Sequence, residues 1–330
     1  MSSAAPPPCG SRQAPGSPLA CRLPRIVDAA AILVFCGSAA GLLSAWHWLF
    51  DLTTHFRQYW FYAAAGGLLA ALVFRRRPAA VILLAAVVFN GLDLAGSWLP
   101  PPPNRDPAGS ESVFLISMNV RRINRDTAAA ISYLRARQPD VAAVIEVDGR
   151  WARSLEGLGD LFPHRVIVPR PDNFGIAVLS RCPLADTRVV EFSASGYPSI
   201  VATVRHESGD FRLIATHPYP PFDASAWATL NEHLAGVAAE AARGPLPSVV
   251  VGDLNATPWS HPFRRLLESG GLVDTALGRG VQATYHAGQP APRIPIDHVL
   301  VPPATRVLRR EVGPANGSDH FTVEAEVVLP

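Results

Sequence analysis

The chain has 330 residues and a formal net charge of +2, with 48% hydrophobic and 17% charged residues. This near-neutral balance excludes a bulk acidic or basic field that would point to a partner. The average also hides a division, because residues 26–99 carry few charges whereas the rest, from residue 112 onward, has the composition of a soluble globular domain.

Three apolar segments lie in the first part of the chain, at Ile26 to Phe50, Tyr59 to Phe74 and Pro78 to Leu99. A helix needs about 20 apolar residues to cross the hydrocarbon core of a bilayer. The first and third segments reach this length, and the second is marginal. We predict three transmembrane helices within residues 26–99, after a disordered segment at residues 1–25 that is rich in Pro, Ser, Ala and Gly.

Arginines set the predicted orientation of these helices. Arg22 and Arg25 precede the first segment, and Arg75, Arg76 and Arg77 lie between the second and third. The positive-inside rule places both groups in the cytoplasm. Three crossings then predict a multi-pass protein of the inner (cytoplasmic) membrane whose C-terminal domain is extracytoplasmic. If the second segment were only re-entrant, the domain would lie on the other side.

Three polar residues interrupt the apolar segments: Asp28, Asn90 and Asp93. One interpretation is an ion or proton path, because carboxylates inside a membrane are energetically costly. That interpretation would make the protein a transporter or sensor. We favour an interfacial position, because the two aspartates lie near segment ends.

Four consecutive prolines, Pro100 to Pro103, follow the last apolar segment and cannot continue a helix. They favour a stiff, extended spacer. We therefore place a proline-rich linker at residues 100–111 and a catalytic domain at residues 112–330.

The C-terminal domain reads as alternating strands and helices. One helix is predicted after Asp126, which would be its N-cap, and ends at Pro139; a second has Trp227, Leu230 and Leu234 at helical spacing and ends at Gly244. Many strands with few helices indicate an α/β fold of two packed sheets flanked by helices. The predicted strands are 113–120, 140–147, 174–180, 199–204, 211–216, 248–254, 296–301, 307–312 and 321–329.

Polar residues gather at the ends of these predicted strands, where a site can be assembled from distant parts of the sequence. Carboxylate and amide oxygens suit a hard cation such as Mg²⁺ or Mn²⁺, and histidines move protons near neutral pH. Together such groups can activate water and stabilise charge on a phosphoryl group. The residues are Asn119, Glu146, His217, Asp253, Asn255, Asp297, His298, Asp319 and His320.

The order of the motifs resembles the endonuclease/exonuclease/phosphatase superfamily, which has the DNase I-like fold. The motifs are Asn119, Glu146, then THP, GDLN, IDH and SDH, and the segment NFGIAVLSR resembles the family's central strand. Each motif alone is weak, but six in the family's order cover nearly the whole C-terminal domain. The resemblance implies a four-layer sandwich of two β-sheets flanked by helices and a metal-dependent hydrolase of phosphate esters.

The resemblance also implies roles for individual residues. Glu146 would be the main metal ligand, Asp319 would complete the metal set, and Asn119 would hold the metal or a phosphate oxygen. Asp297 would orient His320. The remaining catalytic residues would donate to a phosphate oxygen or position the nucleophile: His217, Asp253 and Asn255. Whether Asp253 or His320 is the general base stays open, and His298 is expected to face the opposite side of its strand.

The substrate is left open between extracytoplasmic nucleic acid and a phospholipid head group. The chain contains no lysine, so a basic nucleic-acid surface is not evident, while the membrane anchor favours a lipid. The expected partners are the substrate and the lipid bilayer, and no protein partner is evident. The alternative is a non-catalytic, membrane-anchored binding protein with the same fold.

Overall fold

The computed structural model describes residues 18–99 and 111–330, with side chains from Arg25 onward. Residues 18–25 of the segment predicted to be disordered lie in a helix, and residues 1–17 lie outside the described residues, as does the predicted proline-rich linker apart from residue 111. The first strand of the C-terminal domain begins at Val113.

The N-terminal part is helical. Helices α1, α3 and α4 pack around small residues such as Ala64 and Ala71. Close approaches fix the packing: a Cβ at Gly37 would meet the ring of Trp60. The elements are α1 (Pro18–Ala40), a 3₁₀ turn (Gly41–Leu43), α2 (Trp48–Thr54), α3 (Arg57–Val73) and α4 (Arg77–Trp98).

Two of these helices are long and apolar enough to cross a membrane by length and composition, over Arg25–Leu43 and Arg77–Trp98. The first lies near the N-terminus, where a signal sequence passes the same test. The prediction of three transmembrane helices is thus not confirmed. Helix α3 has 17 residues, and its first turn carries the buried polar residues Arg57 and Gln58.

The bundle has two distinct ends. At one end Arg76 forms an ion pair with Asp28. At the other end Asp93 pairs with Arg57 at 2.9 Å and with Arg264 of the C-terminal domain at 3.2 Å. Asp93 thus lies at the junction with the C-terminal domain. Asn90 is fully buried and donates to Ser38 Oγ at 2.8 Å, so it joins two helices rather than lying at an interface.

The C-terminal domain consists of two six-stranded sheets packed face to face. The first has the order β11-β12-β1-β2-β4-β3 and the second β5-β6-β7-β8-β10-β9. Valine and isoleucine side chains from both inner faces form the shared core. The strands are β1 (Val113–Asn119), β2 (Val141–Ile145), β3 (His164–Val168), β4 (Ile176–Ser180), β5 (Leu184–Glu191), β6 (Pro198–Val204), β7 (Phe211–Ala215), β8 (Ser248–Asp253), β9 (Val273–Asp274), β10 (Asp297–Val301), β11 (Arg306–Val312) and β12 (Val323–Val328).

Four helices cover the outer faces of the sheets: α5 (Ala128–Arg137), α6 (Gly149–Glu156), α7 (Ala224–Ala241) and α8 (His261–Gly270). Helices α5 and α6 pack on the first sheet, and α7 and α8 on the second. This confirms the predicted DNase I-like arrangement of two sheets between helical layers. Asp126, predicted as an N-cap, precedes the capping position, which Thr127 occupies; its side chain instead accepts from the Ala128 amide at 3.1 Å.

Candidate active site

The carboxyl ends of the central strands of both sheets meet at one point. β1 runs parallel to β2, with Asn119 opposite Ile145, and Asp253 on β8 pairs with Asp297 on β10. Asn119 links the two sheets, because its Nδ2 donates to Glu146 Oε1 and to Asp253 Oδ2, each at 3.1 Å. The fold thus brings together residues that are up to 134 positions apart in the chain.

A histidine and two aspartates form the buried centre of this site. His320 Nδ1 lies 2.9 Å from Asp297 Oδ2, and its Nε2 lies 3.7 Å from Asp253 Oδ2. His217 Nε2 approaches the same Asp253 oxygen to 3.6 Å from the opposite side. Asp253 is therefore flanked by two imidazoles, and Asp297 fixes the orientation of one of them.

The charges of this cluster are strongly coupled. Burial alone lowers the pKa of His320, but the negative charges of Asp297 and Asp253 outweigh it and raise this pKa to about 10. Burial and the neighbouring charge of Asp297 raise the pKa of Asp253, while burial lowers the pKa of His217. With the protein's own groups alone, His320 carries the positive charge of the cluster at neutral pH.

The backbone is constrained around these side chains. Glu146 and Asn255 have left-handed φ angles of 66° and 49°, which are uncommon for residues other than glycine and cluster at functional sites. Gly252, just before Asp253, has φ 148°, and a Cβ there would lie 2.0 Å from the Thr216 carbonyl oxygen. Only glycine permits this approach of β8 to the end of β7.

The oxygen donors at the mouth of the site fit a divalent cation. Glu146 and Asp319 both line the cleft beside the buried Asp253, and carboxylates are the ligands that Mg²⁺ and Mn²⁺ prefer. The excess of carboxylates, which repel each other, is what a cation would neutralise. Asn119 directs its Nδ2 at the carboxylates while its Oδ1 accepts from the Arg121 amide at 2.9 Å. In this orientation its Nδ2, and not its Oδ1, faces the carboxylates.

The other predicted residues take separate positions. Asn255 Nδ2 donates to the Pro218 carbonyl at 3.0 Å, which ties the GDLN turn to the THP turn. Asp319 lies 3.3 Å from Arg121 Nε. His298 is buried on the opposite face of β10, as predicted, with its Nδ1 2.8 Å from Asp274. Asp274 is thus a buried partner and not merely a strand-end residue.

His233 belongs to no motif, and a histidine outside the motifs is expected at the surface. It is instead fully buried, and its Nε2 lies 2.7 Å from Thr216 Oγ1. The face of α7 that carries His233 packs toward the end of β7, and the contacted Thr216 directly precedes His217. His233 is therefore a structural support beneath the site.

The cleft has a volume of about 640 Å³, and several of its lining residues could not be found from motifs. Phe174 stacks on Tyr197 with ring centroids 3.6 Å apart and lies 5.1 Å from the His217 ring. The motif NFG contains Phe174, but nothing in the sequence indicates its contact with His217. The other lining residues that sequence reasoning missed include Leu52, His55, Phe56, Arg122, Asn173, Tyr219, Phe222, Tyr285 and Ile294.

Two facing sheets, and a cleft at their strand ends that holds carboxylates and histidines, define the class of DNase I-like phosphoester hydrolases. The model of the endonuclease/exonuclease/phosphatase family matches residues 116–320. The chain belongs to this family, whose members generally use divalent metal ions. No curated protein matches the chain.

Solved structures share the fold. An endonuclease/exonuclease/phosphatase from Beutenbergia cavernae has 25% identity and a TM-score of 0.55, covering 66% of this chain and 72% of its own. TDP2 of D. rerio, complexed with a single-strand DNA product, has 16% identity and a TM-score of 0.55, covering 66% and 98%. Sphingomyelinase C from Streptomyces griseocarneus has 16% identity and a TM-score of 0.51, covering 66% and 99%.

Proposed function

We propose that the protein is a Mg²⁺- or Mn²⁺-dependent phosphodiesterase that is anchored to a membrane and acts outside the cytoplasm. The observation that carries this proposal is the convergence of the predicted residues from both sheets in one cleft. Its structural neighbours include a protein bound to a DNA product and a sphingomyelinase. Both nucleic acid and a phospholipid head group therefore remain candidate substrates at this level.

The residues take the following roles in the proposed reaction. Glu146 and Asp319 would hold the cation, which would supply positive charge to the phosphoryl oxygens. Asn119 and His217 donate hydrogen bonds to oxygens of the phosphate. Water attacks phosphorus, and the bond to the leaving oxygen breaks.

A buried base accepts the proton of the attacking water. Asp297 holds the His320 imidazole at 2.9 Å, and His320 can be this base only in its neutral form, which the charges of Asp297 and Asp253 disfavour as long as no cation offsets them. Asp253 is the other candidate, because its carboxylate touches both imidazoles and its raised pKa improves it as a proton acceptor. Asn255 fixes the turn that carries Asp253.

The helical bundle supports the proposed membrane anchor. Only 17% and 28% of the residues in the two candidate spans are buried, unlike those of a core helix in a soluble protein. Large apolar side chains are exposed along the bundle, such as Leu33 at 67%, Leu69 at 65% and Leu92 at 72%. Exposed apolar surface of this extent is typical of a membrane or protein contact.

Hydrolysis by the full chain tests the proposal. Purified protein should hydrolyse bis-p-nitrophenyl phosphate with Mg²⁺ or Mn²⁺ and should stop when EDTA is added. Glu146→Gln should abolish the stimulation of hydrolysis by Mg²⁺ or Mn²⁺, because an amide replaces a carboxylate proposed as a ligand. Glu156→Gln, an exposed site at the end of α6, is the matched control. A protein that binds substrate but releases no p-nitrophenolate would instead be the non-catalytic binder.

A further inference from the structure

One wall of the cleft comes from the helical bundle rather than from the catalytic domain. Leu52, His55 and Phe56, which lie on α2 and in the turn before α3, line the same cleft as Glu146 and His320. The family match begins only at residue 116, so this wall is an addition of this chain to the shared site.

The wall is firmly attached to the catalytic domain. Asp51 is fully buried; its Oδ1 accepts from the backbone N–H of His261, at the start of α8, at 2.7 Å. Its Oδ2 accepts from Trp227 Nε1 on α7 at 2.9 Å. A few residues further, the Tyr59 hydroxyl donates to the Arg293 carbonyl at 3.0 Å. These contacts hold α2 against the cleft from both sides.

His55 lies one helical turn after Asp51 and faces the cleft. Its side chain is 97% buried, since only 3% is exposed, and its Nε2 has no hydrogen-bond partner among the described residues. Burial lowers the pKa of His55 to about 4, so the ring is neutral at pH 7. A buried polar atom without a partner is energetically costly, and a substrate that bonds to it would remove that cost.

The rest of the wall is apolar. Leu52 and Phe56 face a region that also includes Phe222 and Ile294. Leu52 is 36% and Phe222 74% exposed. The cleft thus combines the polar catalytic cluster with an apolar surface, and part of this surface comes from the segment between the two candidate membrane spans.

The charge of the cleft disfavours a polynucleotide. Among the described residues that line it, Arg122 is the one arginine, and the chain has no lysine. Tight polynucleotide binding relies on cations at several successive phosphates. Phe174 is also buried, and the ring of Tyr197 stacks on it with centroids 3.6 Å apart, so Phe174 offers little free ring surface to a nucleic-acid base.

We propose that Leu52 and Phe56 bind the aliphatic chain of an amphiphilic phosphodiester, while His55 hydrogen-bonds to a substrate oxygen beside the phosphate. This inference rests on the proposed phosphodiesterase function and deepens it by assigning the substrate class. The α2 wall makes the helical bundle a specificity element and not only an anchor.

Esters that share one leaving group test the inference. The full chain in amphipol is assayed with methyl, octyl and thymidine-5′ p-nitrophenyl phosphates, below their aggregation concentrations. We expect kcat/KM for the octyl ester to exceed that for the methyl ester at least about tenfold, since each buried methylene contributes about 0.8 kcal/mol. Leu52→Ala and Phe56→Ala should each lower the ratio of kcat/KM for the octyl ester to kcat/KM for the methyl ester. Phe74→Ala, at the far end of the bundle, should leave it unchanged.

His55 has its own measurement. His55→Leu should lower kcat/KM for the methyl and octyl esters by about tenfold, through loss of one hydrogen bond, and His55→Gln should restore part of it. Near-native circular dichroism and Tm of each variant exclude misfolding as the cause.

The outcomes separate the two proposals. Hydrolysis of the methyl and octyl esters at equal kcat/KM would overturn the amphiphile and leave the phosphodiesterase intact. Preference for the thymidine ester would replace the lipid with a nucleotide. Failure to hydrolyse any of the three esters would overturn both proposals.

Discussion

The buried Asp297–His320 pair is the residue-scale feature from which catalytic behaviour follows most directly. His320 Nδ1 lies 2.9 Å from Asp297 Oδ2, although the two residues are 23 positions apart in the chain. A carboxylate beside an imidazole fixes its tautomer and stabilises its protonated form. Both residues therefore serve one step.

His320→Ala and Asp297→Asn should each lower kcat by about 10²–10⁴-fold with little change in KM, because this is the contribution of a well-placed base. The double variant should be scarcely slower than His320→Ala, since residues acting as a unit are not additive. Steady-state kinetics of the three variants, with His164→Ala on β3 as control, measure this. Losses that multiply would show that the two residues act in separate steps.

Asp274→Asn should affect stability rather than turnover. Burial raises the pKa of Asp274, but the charge and hydrogen bond of His298 outweigh it and hold this pKa below its usual range. The carboxylate therefore stabilises the fold above its unfolded pKa of about 3.9, and this is lost as pH falls through the lower folded value. We expect the substitution to lower the free energy of unfolding by about 1–3 kcal/mol at pH 7, and this difference should shrink below about pH 4.

Urea unfolding of Asp274→Asn at pH 7 and at acid pH measures this effect. Asp160→Asn removes an exposed ion pair with Arg135 and should leave stability nearly unchanged. An equal loss in the two variants, or a loss that grows in acid, would contradict the assignment.

The convergence of the site residues was accessible from sequence because these residues belong to motifs, whereas their partners outside the motifs were not. Asn119, Glu146 and His320 stand at strand ends in the family's order. His233 and Asp274 lie in no motif, and their burial depends on which helix or strand covers them. Phe174 was hidden for the same reason, since its contact with His217 joins segments 43 positions apart in the printed sequence.

At the scale of secondary-structure elements, the central strands and the edge strand β11 were predicted closely, whereas the edge strands β3, β5 and β9 were not. Strands such as β1 and β8 are continuous apolar runs because both faces are buried, which gives a strong signal. β5 is mostly exposed and polar, and β9 has two residues. The helices α6 and α8, of 8 and 10 residues, were also missed.

The junction of β7 and β8 makes a prediction at this scale. Gly252→Ala should destabilise the protein by well over about 1 kcal/mol and remove activity, because the new Cβ would push against the Thr216 carbonyl. Gly209→Ala is the matched control, with φ 126° and no atom within 4 Å of a Cβ. Tm and turnover of both variants measure the difference, and similar Tm losses would mean that backbone strain alone decides it.

At the scale of the whole molecule, the two ends of the bundle determine the side of the membrane. Asp28 and Arg76 mark one end, and the catalytic domain contacts the other through Arg264 and Asp93. Helix α3 runs back between them: a Cβ at Gly67 would meet Leu83, and one at Gly91 would meet Phe61. If α1 and α4 cross a membrane, the catalytic domain lies opposite the Arg76 end. Sequence length alone could not decide this, because α3 is short.

A pair of C-terminal fusions tests this topology. Alkaline phosphatase fused after residue 330 should be active, because it folds only outside the cytoplasm, and a green fluorescent protein at the same position should be dark. A fluorescent fusion with inactive phosphatase would place the catalytic domain in the cytoplasm. The catalytic residues would keep their roles, but the accessible substrates would change.

The contacts between the bundle end and the catalytic domain have a kinetic consequence. Besides the Asp51 bonds, the Gly278 and Gly280 amides donate to carbonyls of Gly96 and Ser97 at the end of α4, at 3.0 and 2.6 Å. If the bundle is anchored in a membrane, as proposed, a domain held at these points keeps its cleft in one orientation to the bilayer surface. Encounter with a lipid substrate would then be lateral diffusion in two dimensions. The rate should follow the mole fraction of substrate in the membrane, and diluting the vesicles with water should leave it unchanged.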